Sequence, residues 1–332
     1  MHIHIKKTLP KRTVVFDTYW KFAYKRQNIF FNRINNVNPI TSDTILKEYK
    51  FTNAYRASDR VSQYLIKNVI NKGDQSLKEL FFRILLFKTF NKIKTWETLE
   101  KRIGEIRFST YDFNKYSSIL NTELRKRISI YSGAYIMTSG KSKFGFNRKH
   151  SNHLKLIELM IENNLPELIA DSNSLEEVFL LLRRYPTIGN FLAFQYCIDL
   201  NYSDLINFSE MDFVVPGPGA KDGIKKCFSN LSNYSETDII HYMADIQEKE
   251  FERLELDFQD LWGRKLSLID CQNLFCEVDK YSRIAHPNIN GISGRKRIKQ
   301  KFHPSNDKIK YWYPPKWGIN DRIYKIENKA SG

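Results

Sequence analysis

The feature that most limits this chain is the spacing of its apolar residues, which recur every three or four positions along most of its length and rarely alternate. Such spacing gathers apolar side chains on one side of a helix, whereas a strand with one buried face needs a period of two. Between Thr13 and Asn35, the residues Phe16, Tyr19, Trp20, Phe22 and Ala23 are interleaved with Lys and Arg. Val61, Leu65 and Val69 repeat within Asn53 to Asn71, and Leu80, Ile84, Phe87 and Phe90 within Ser76 to Asn91. Ser42 with Asp43, Ser174 and Ser235 suit helix N-caps, because their side-chain oxygens can accept from the free amides of a first turn. The pattern predicts an all-α chain of about a dozen helices.

A basic, glycine-bearing stretch from Tyr131 to His150 interrupts the periodicity, as a connection between helical blocks does. The expected organisation is a helical lobe over 1–130, this connection over 131–150, a second lobe over 151–285, and a basic aromatic extension over 286–332. With 332 residues, 42% of them apolar, the chain can bury a sizeable core, so disorder is excluded for most of it.

Lys and Arg number 53 against 37 Asp and Glu, a net charge of +16, and the last 52 residues hold twelve of the cations against three anions. That imbalance points to a polyanionic partner, nucleic acid or an anionic membrane. No run approaches the roughly 18 uninterrupted apolar residues of a membrane helix. Met1 to Arg12 lacks the apolar core of a secretion signal, so a cytoplasmic setting is expected. Cys197, Cys227, Cys271 and Cys276 form no close pair and read as buried thiols. Ser139-Gly140-Lys141-Ser142 imitates the end of a phosphate-binding loop, but Tyr135 stands where that motif needs a glycine. His2 with His4, and His150 with His153, lack further ligands at zinc spacing.

The segment with most chemical content runs from Arg184 to Asp199, where Pro186-Thr187-Ile188-Gly189 turns directly into an apolar helix. Gly189 lets the backbone approach a partner, and the amides of Asn190, Phe191 and Leu192 become the unpaired donors of a helix N-terminus, suited to a DNA phosphate. This hairpin resembles that of the helix-hairpin-helix DNA glycosylases, with Thr187 in place of the first glycine. That resemblance implies a two-lobed helical fold with a catalytic Asp just past the second helix, and Asp212 lies there, 23 residues after Gly189. A carboxylate under the sugar would stabilise an oxocarbenium-like transition state; a turn-capping Asp212 is the competing reading, and Asp199 and Asp204 are rival acids. Phe191 occupies the position of the Schiff-base Lys of bifunctional members, which implies a monofunctional enzyme that leaves an abasic site.

The runs Tyr55 to Tyr64, Asp212 to Gly219, Leu261 to Arg264 and Cys271 to Lys280 resemble more closely the α-glutamyl/putrescinyl thymine pyrophosphorylase or 5-hydroxymethyluracil DNA kinase helical-domain family. The resemblance implies an all-helical, glycosylase-like protein acting on hypermodified pyrimidines of phage DNA. Some members act in phage defence by excising glucosylated 5-hydroxymethylcytosine.

Further candidates come from the residues themselves. Asn53, Arg56, Arg60 and Tyr64 would form one polar stripe on a helix, either a solvated face or a substrate pocket. Asn273, Glu277 and Lys280 share another face, with Glu277 either in a pocket or paired with an Arg such as Arg60. Gly217-Pro218-Gly219 offers a turn poor in side chains for close approach to DNA. Arg295, Lys296 and Arg297, followed by Tyr311, Trp312, Tyr313 and Trp317, suit phosphate contact and base stacking.

The expected function is therefore a DNA glycosylase that flips and excises a modified pyrimidine through Asp212, with double-stranded phage DNA as partner and no redox cofactor or catalytic metal implied. The alternatives are a transferase or pyrophosphorylase acting on 5-hydroxymethyluracil derivatives, and a DNA-binding module without catalysis.

Overall fold

The computed structural model describes residues 8–135, 137–304 and 309–323. Among them are fourteen α-helices, two short antiparallel strands (Lys11–Arg12 and Phe228–Asn230) and an isolated bridge between Tyr49 and Lys301. The chain divides into two compact units that are not consecutive in sequence. The first comprises Met1–Asp59, Phe213–Tyr311 and Trp317–Gly332; the second comprises Arg60–Asp212 and Trp312–Lys316, and so includes 131–150.

The first unit is organised on the helix Leu268–Ala285. Its start is fixed by a capping box in which Ser267 and Asp270 satisfy each other's backbone amides. The helix Val14–Ile34, capped by Thr13, lays its buried Phe16, Tyr19, Trp20 and Ala23 toward the core. Tyr19 packs on Phe275 at 4.7 Å, and its hydroxyl donates to the Cys271 carbonyl at 3.1 Å. A third helix, Pro218–Cys227, approaches more closely, because a Cβ at Gly223 would lie 2.1 Å from the Phe275 carbonyl oxygen and one at Gly219 would lie 3.1 Å from Cys276 Sγ. The same contact buries Lys226 against Asp279 at 2.9 Å. Glu236–Arg253 begins with the Ser235–Asp238 capping box, and Asp43 caps Thr44–Glu48.

In the second unit, Leu77–Phe90 is buried on almost every side, as a central helix must be when its sequence is apolar all round. Ser174 caps Leu175–Arg183 through the Glu177 amide. His150 and His153 on Lys149–Glu162 are buried and hydrogen-bonded to Ser117 and to Tyr131 and Thr138. Burial lowers both imidazoles to about 4, so they sit in the core as neutral groups. Cys197, Cys227 and Cys271 are buried, and Cys276 partly so.

One expected helix is not formed as a single element. Asn53 to Asn71 contains extended chain, a 3-10 turn at Arg56–Ser58, a short helix at Arg60–Tyr64 and a π-helix at Leu65–Ile70. The Asn53 amide donates to Asp59 Oδ1 and its side-chain amide to the Ser58 carbonyl, so side chains take the backbone bonds a helix would have made. The four-residue stripe from Asn53 to Tyr64 therefore does not exist.

The helix contact in the first unit gives a paired test. Gly223→Ala is expected to destabilise the protein by about 3 kcal/mol, because its Cβ meets backbone that cannot move aside. Gly189→Ala, where nothing lies within 4 Å of the added carbon, is expected to leave the chemical-denaturation midpoint nearly unchanged. Equal effects would contradict this packing.

Candidate functional site

In the first unit the segment 51–59 has little regular structure of its own and is held by side chains from two long helices. Arg26 of Val14–Ile34, 7% exposed, donates from Nε to the Thr52 carbonyl (2.8 Å) and from Nη2 to Asn53 Oδ1 (2.9 Å). Glu277 accepts the Thr52 amide at 3.0 Å and pairs with Lys280 at 2.8 Å, which in turn lies over the Phe51 ring. Asp270 accepts the Arg56 amide at 2.7 Å. Arg56 itself is 2% exposed, and Asn273 is half-buried a turn before Glu277. Burial raises the carboxyl of Asp59 to about 7, against the pull of the Asn53 amide and the Arg26 guanidinium. The same desolvation lowers Arg26 to about 10. A carboxyl near neutrality beside Asn53, Arg26 and Glu277 can exchange a proton at physiological pH. Asp59 and Arg26 were not candidates from sequence, since only their placement on either side of the loop gives them this role. Glu277 is paired with Lys280 and the Thr52 amide.

In the second unit the hairpin is formed by Leu175–Arg183 and Asn190–Asn201. Gly189 is exposed, open space surrounds its Cα, and no side chain caps the amides that follow. Thr187 occupies the left-handed region at φ +70°, and its Oγ1 is buried with no partner among the described residues. A β-branched residue is strained there, because its Cβ meets the backbone in that conformation. Asn190 is exposed, whereas Phe191 stacks on Tyr135 with ring centroids 5.6 Å apart. Tyr135 also covers Lys88, whose ammonium reaches Asn91 at 2.9 Å and the fully buried Asp199 at 3.2 Å. Arg60 is exposed and Tyr64 stacks on Phe87. Asp212 lies exposed in a bend, and no hydrogen bond or ion pair reaches it among the described residues. It is not enclosed as a catalytic carboxylate under a sugar must be, nor does it cap a helix.

The other candidates of the first unit separate into packing and surface roles. Gly217 is buried as the N-cap of Pro218–Cys227, and Gly219 faces Cys276, so both serve helix packing rather than approach to DNA. Arg295 is bound to Asp222 at 2.7 Å, and the Arg297 carbonyl accepts from Arg283 at 2.9 Å. Lys296 and the Arg297 side chain are exposed. The aromatic run is packed in part, with Tyr313 buried and Tyr311, Trp312 and Trp317 half-buried. Tyr311 packs on Phe30 and Trp317 under Arg264 in the first, while in the second Tyr313 is fully buried and Lys316 is tied to the Ser203 and Ile206 carbonyls. Among the described residues no group of three His, Cys, Asp or Glu side chains converges as metal ligands would, and no helix is long and apolar enough to cross a membrane.

Comparison with known proteins adds a family. The model of the 5-hmdU DNA kinase helical domain matches residues 13–291. The chain is 26% identical over 336 aligned residues to the 5-hmdU DNA kinase of Bacillus phage SP10, covering 94% of this chain and 52% of that protein. It thus spans about half the length of that relative. No solved structure matches. These findings overturn the expectation of a hydrolytic glycosylase: the matching family and relative bear the name of a kinase, a phosphoryl transferase. The exposure of Asp212 agrees with that correction. With a family model matching most of its length, the chain belongs to the 5-hmdU DNA kinase helical-domain family.

Proposed function

We propose that this chain is the DNA-handling helical part of a transferase that modifies 5-hydroxymethyl pyrimidines in DNA without releasing the base. The observation that carries this reading is the alignment of 94% of the chain with a protein named for a kinase acting on 5-hmdU DNA. The net charge of +16 fits a DNA partner. In the second unit the open amides at Gly189, Asn190 and Phe191 offer a phosphate contact, and in the first Lys296 and Arg297 offer cations to the same polyanion.

The polar loop of the first unit is assigned to the base. Phosphorylating a hydroxymethyl group requires its oxygen to lose a proton as it attacks, and Asp59 has the basicity for that transfer near neutral pH. Asn53 and Arg56 lie in this loop and Glu277 braces it through the Thr52 amide, with Asn273 a turn before Glu277 on the same helix; Arg60 and Tyr64 follow the loop in sequence and belong to the second unit. The phosphoryl donor is not assigned to this chain, which covers 52% of the kinase. At the Gly140-Lys141-Ser142 loop, a Cβ on Gly140 would lie 3.3 Å from both Asn152 and Thr187, so this glycine serves local packing.

Binding is tested by fluorescence anisotropy with duplexes that differ only in carrying thymine or 5-hydroxymethyluracil at one position. Affinity is expected to be higher for the hydroxymethylated duplex and to fall with salt for both, and replacing Lys296 and Arg297 together by Ala should reduce the salt slope by about 2. Identical affinities and an unchanged slope would contradict the assignment.

Asp59 has its own signature. Its pKa is raised in the folded state, so the folded protein holds this proton more tightly than the unfolded chain, and that stabilisation, full below about pH 4, disappears as pH rises through about 7. Asp59→Asn stays neutral throughout. The variant's melting temperature is therefore expected to rise relative to wild type between pH 4 and pH 8, and a difference that does not change with pH would show that Asp59 is not enclosed as described.

A further inference from the structure

A turn in the first unit displays an apolar side chain that folding does not use. Ile292 is 67% exposed, at the apex of the turn Gly291-Ile292-Ser293-Gly294. A lone exposed isoleucine is ordinary; the fixation of the backbone beneath this one is not. Asp222, 1% exposed on Pro218–Cys227, accepts from the Ser293 amide at 2.7 Å, from the Ser293 hydroxyl at 2.6 Å and from Arg295 Nη2 at 2.7 Å. Arg295 Nε also donates to the Ser293 hydroxyl. Gly291 is pressed onto the same carboxylate, since a Cβ there would lie 2.8 Å from Asp222 Oδ1, and Gly294 takes φ +63° to close the turn. A buried carboxylate thus holds both sides of a turn whose tip makes little use of the protein interior.

The surroundings are cationic. Ile292 shares the wall of a cavity of about 270 Å³ with Lys221 and Lys225, both exposed on the helix that carries Asp222. Glu236 on the same wall is 3.9 Å from Lys221, a weak pairing that leaves Lys225 the stronger cation. Exposed Lys296 and Arg297 continue from the turn. An apolar tip on a rigid mount, flanked by lysines, is what enters a DNA stack: it replaces the stacking of a parted base step while its neighbours hold the phosphates on either side.

We propose that Ile292 is a DNA wedge, which parts the stack next to the modified nucleotide while Lys221 and Lys225 bind the adjoining phosphates. The proposal rests on the DNA-acting reading above and adds a positioning residue to it. It selects duplex DNA over a membrane surface because the apolar element is one side chain wide and the cations around it belong to a fixed turn and helix.

The test uses a duplex with 2-aminopurine beside 5-hydroxymethyluracil, whose fluorescence rises when the stack opens, together with anisotropy on the same duplex. The wild-type chain is expected to raise the fluorescence on binding. Ile292→Ala should bind with similar affinity and melt at the same temperature but give a rise about fivefold smaller, whereas Ile292→Leu should retain it. Lys221→Ala with Lys225→Ala should weaken binding and lower the salt slope by about 2. An undiminished rise in Ile292→Ala overturns the wedge while leaving the DNA reading in place. So does an Ile292→Ala loss confined to binding of phosphatidylserine vesicles. Failure of the wild-type chain to bind any duplex overturns both.

Discussion

The contact on which most of the first unit depends is the approach of Pro218–Cys227 to Leu268–Ala285, close enough that Gly223 faces the Phe275 backbone with no room for a Cβ. From these two helices come the buried Lys226–Asp279 pair, the Asp222 clasp on the 291–295 turn, and the Glu277 and Asp270 carboxylates that hold the 51–59 loop. A buried ion pair adds little stability over an apolar pair of the same shape, yet losing one member leaves a charge stranded. The arrangement therefore specifies where the helices sit more than it strengthens the fold.

The second unit uses a different device. Leu77–Phe90 is enclosed by the helices around it, and of its two buried cations Lys88 is neutralised by Asp199 on the second helix of the hairpin, while Arg83 donates from Nε to the Val69 carbonyl. The hairpin is thus anchored from below, while its turn stays open at Gly189 and strained at Thr187. Strain at a turn facing solvent is tolerated when the flanking helices fix both ends.

Much of this was legible in the sequence. Thr13 to Asn35 and Ser76 to Asn91 became the helices Val14–Ile34 and Leu77–Phe90 with those residues as their caps, since period and capping chemistry are both local. Asp43, Ser174 and Ser235 cap helices as expected. The hairpin between residues 184 and 190 followed from Pro, Gly and an apolar run. The 51–59 loop was not legible: its apolar period resembles a helix, but Asn53 and Asp59 bond to each other within it, and Arg26 and Glu277 take further hydrogen bonds from places remote in sequence. Gly219 read as a turn residue, and only the position of Cys276 shows it to be a packing glycine. Asp212 was chosen by its distance past the hairpin, a criterion blind to exposure. The packing of the aromatic run near residue 312 was not legible, because composition does not reveal that Tyr311 meets Phe30 or that Trp317 lies under Arg264.

Both units hold buried charged side chains against partners distant in sequence, Lys226 on Asp279 in the first and Lys88 on Asp199 in the second, and the family match spans residues 13–291. In the function proposed here the chain handles a 5-hydroxymethyl pyrimidine that stays on its sugar. The decisive experiment is mass spectrometry of DNA containing 5-hydroxymethyluracil, treated with the protein and ATP and then digested to nucleosides. Every modified base is expected as a nucleoside, hydroxymethylated or phosphorylated at the hydroxymethyl oxygen; free modified base with a matching number of abasic sites would refute that function.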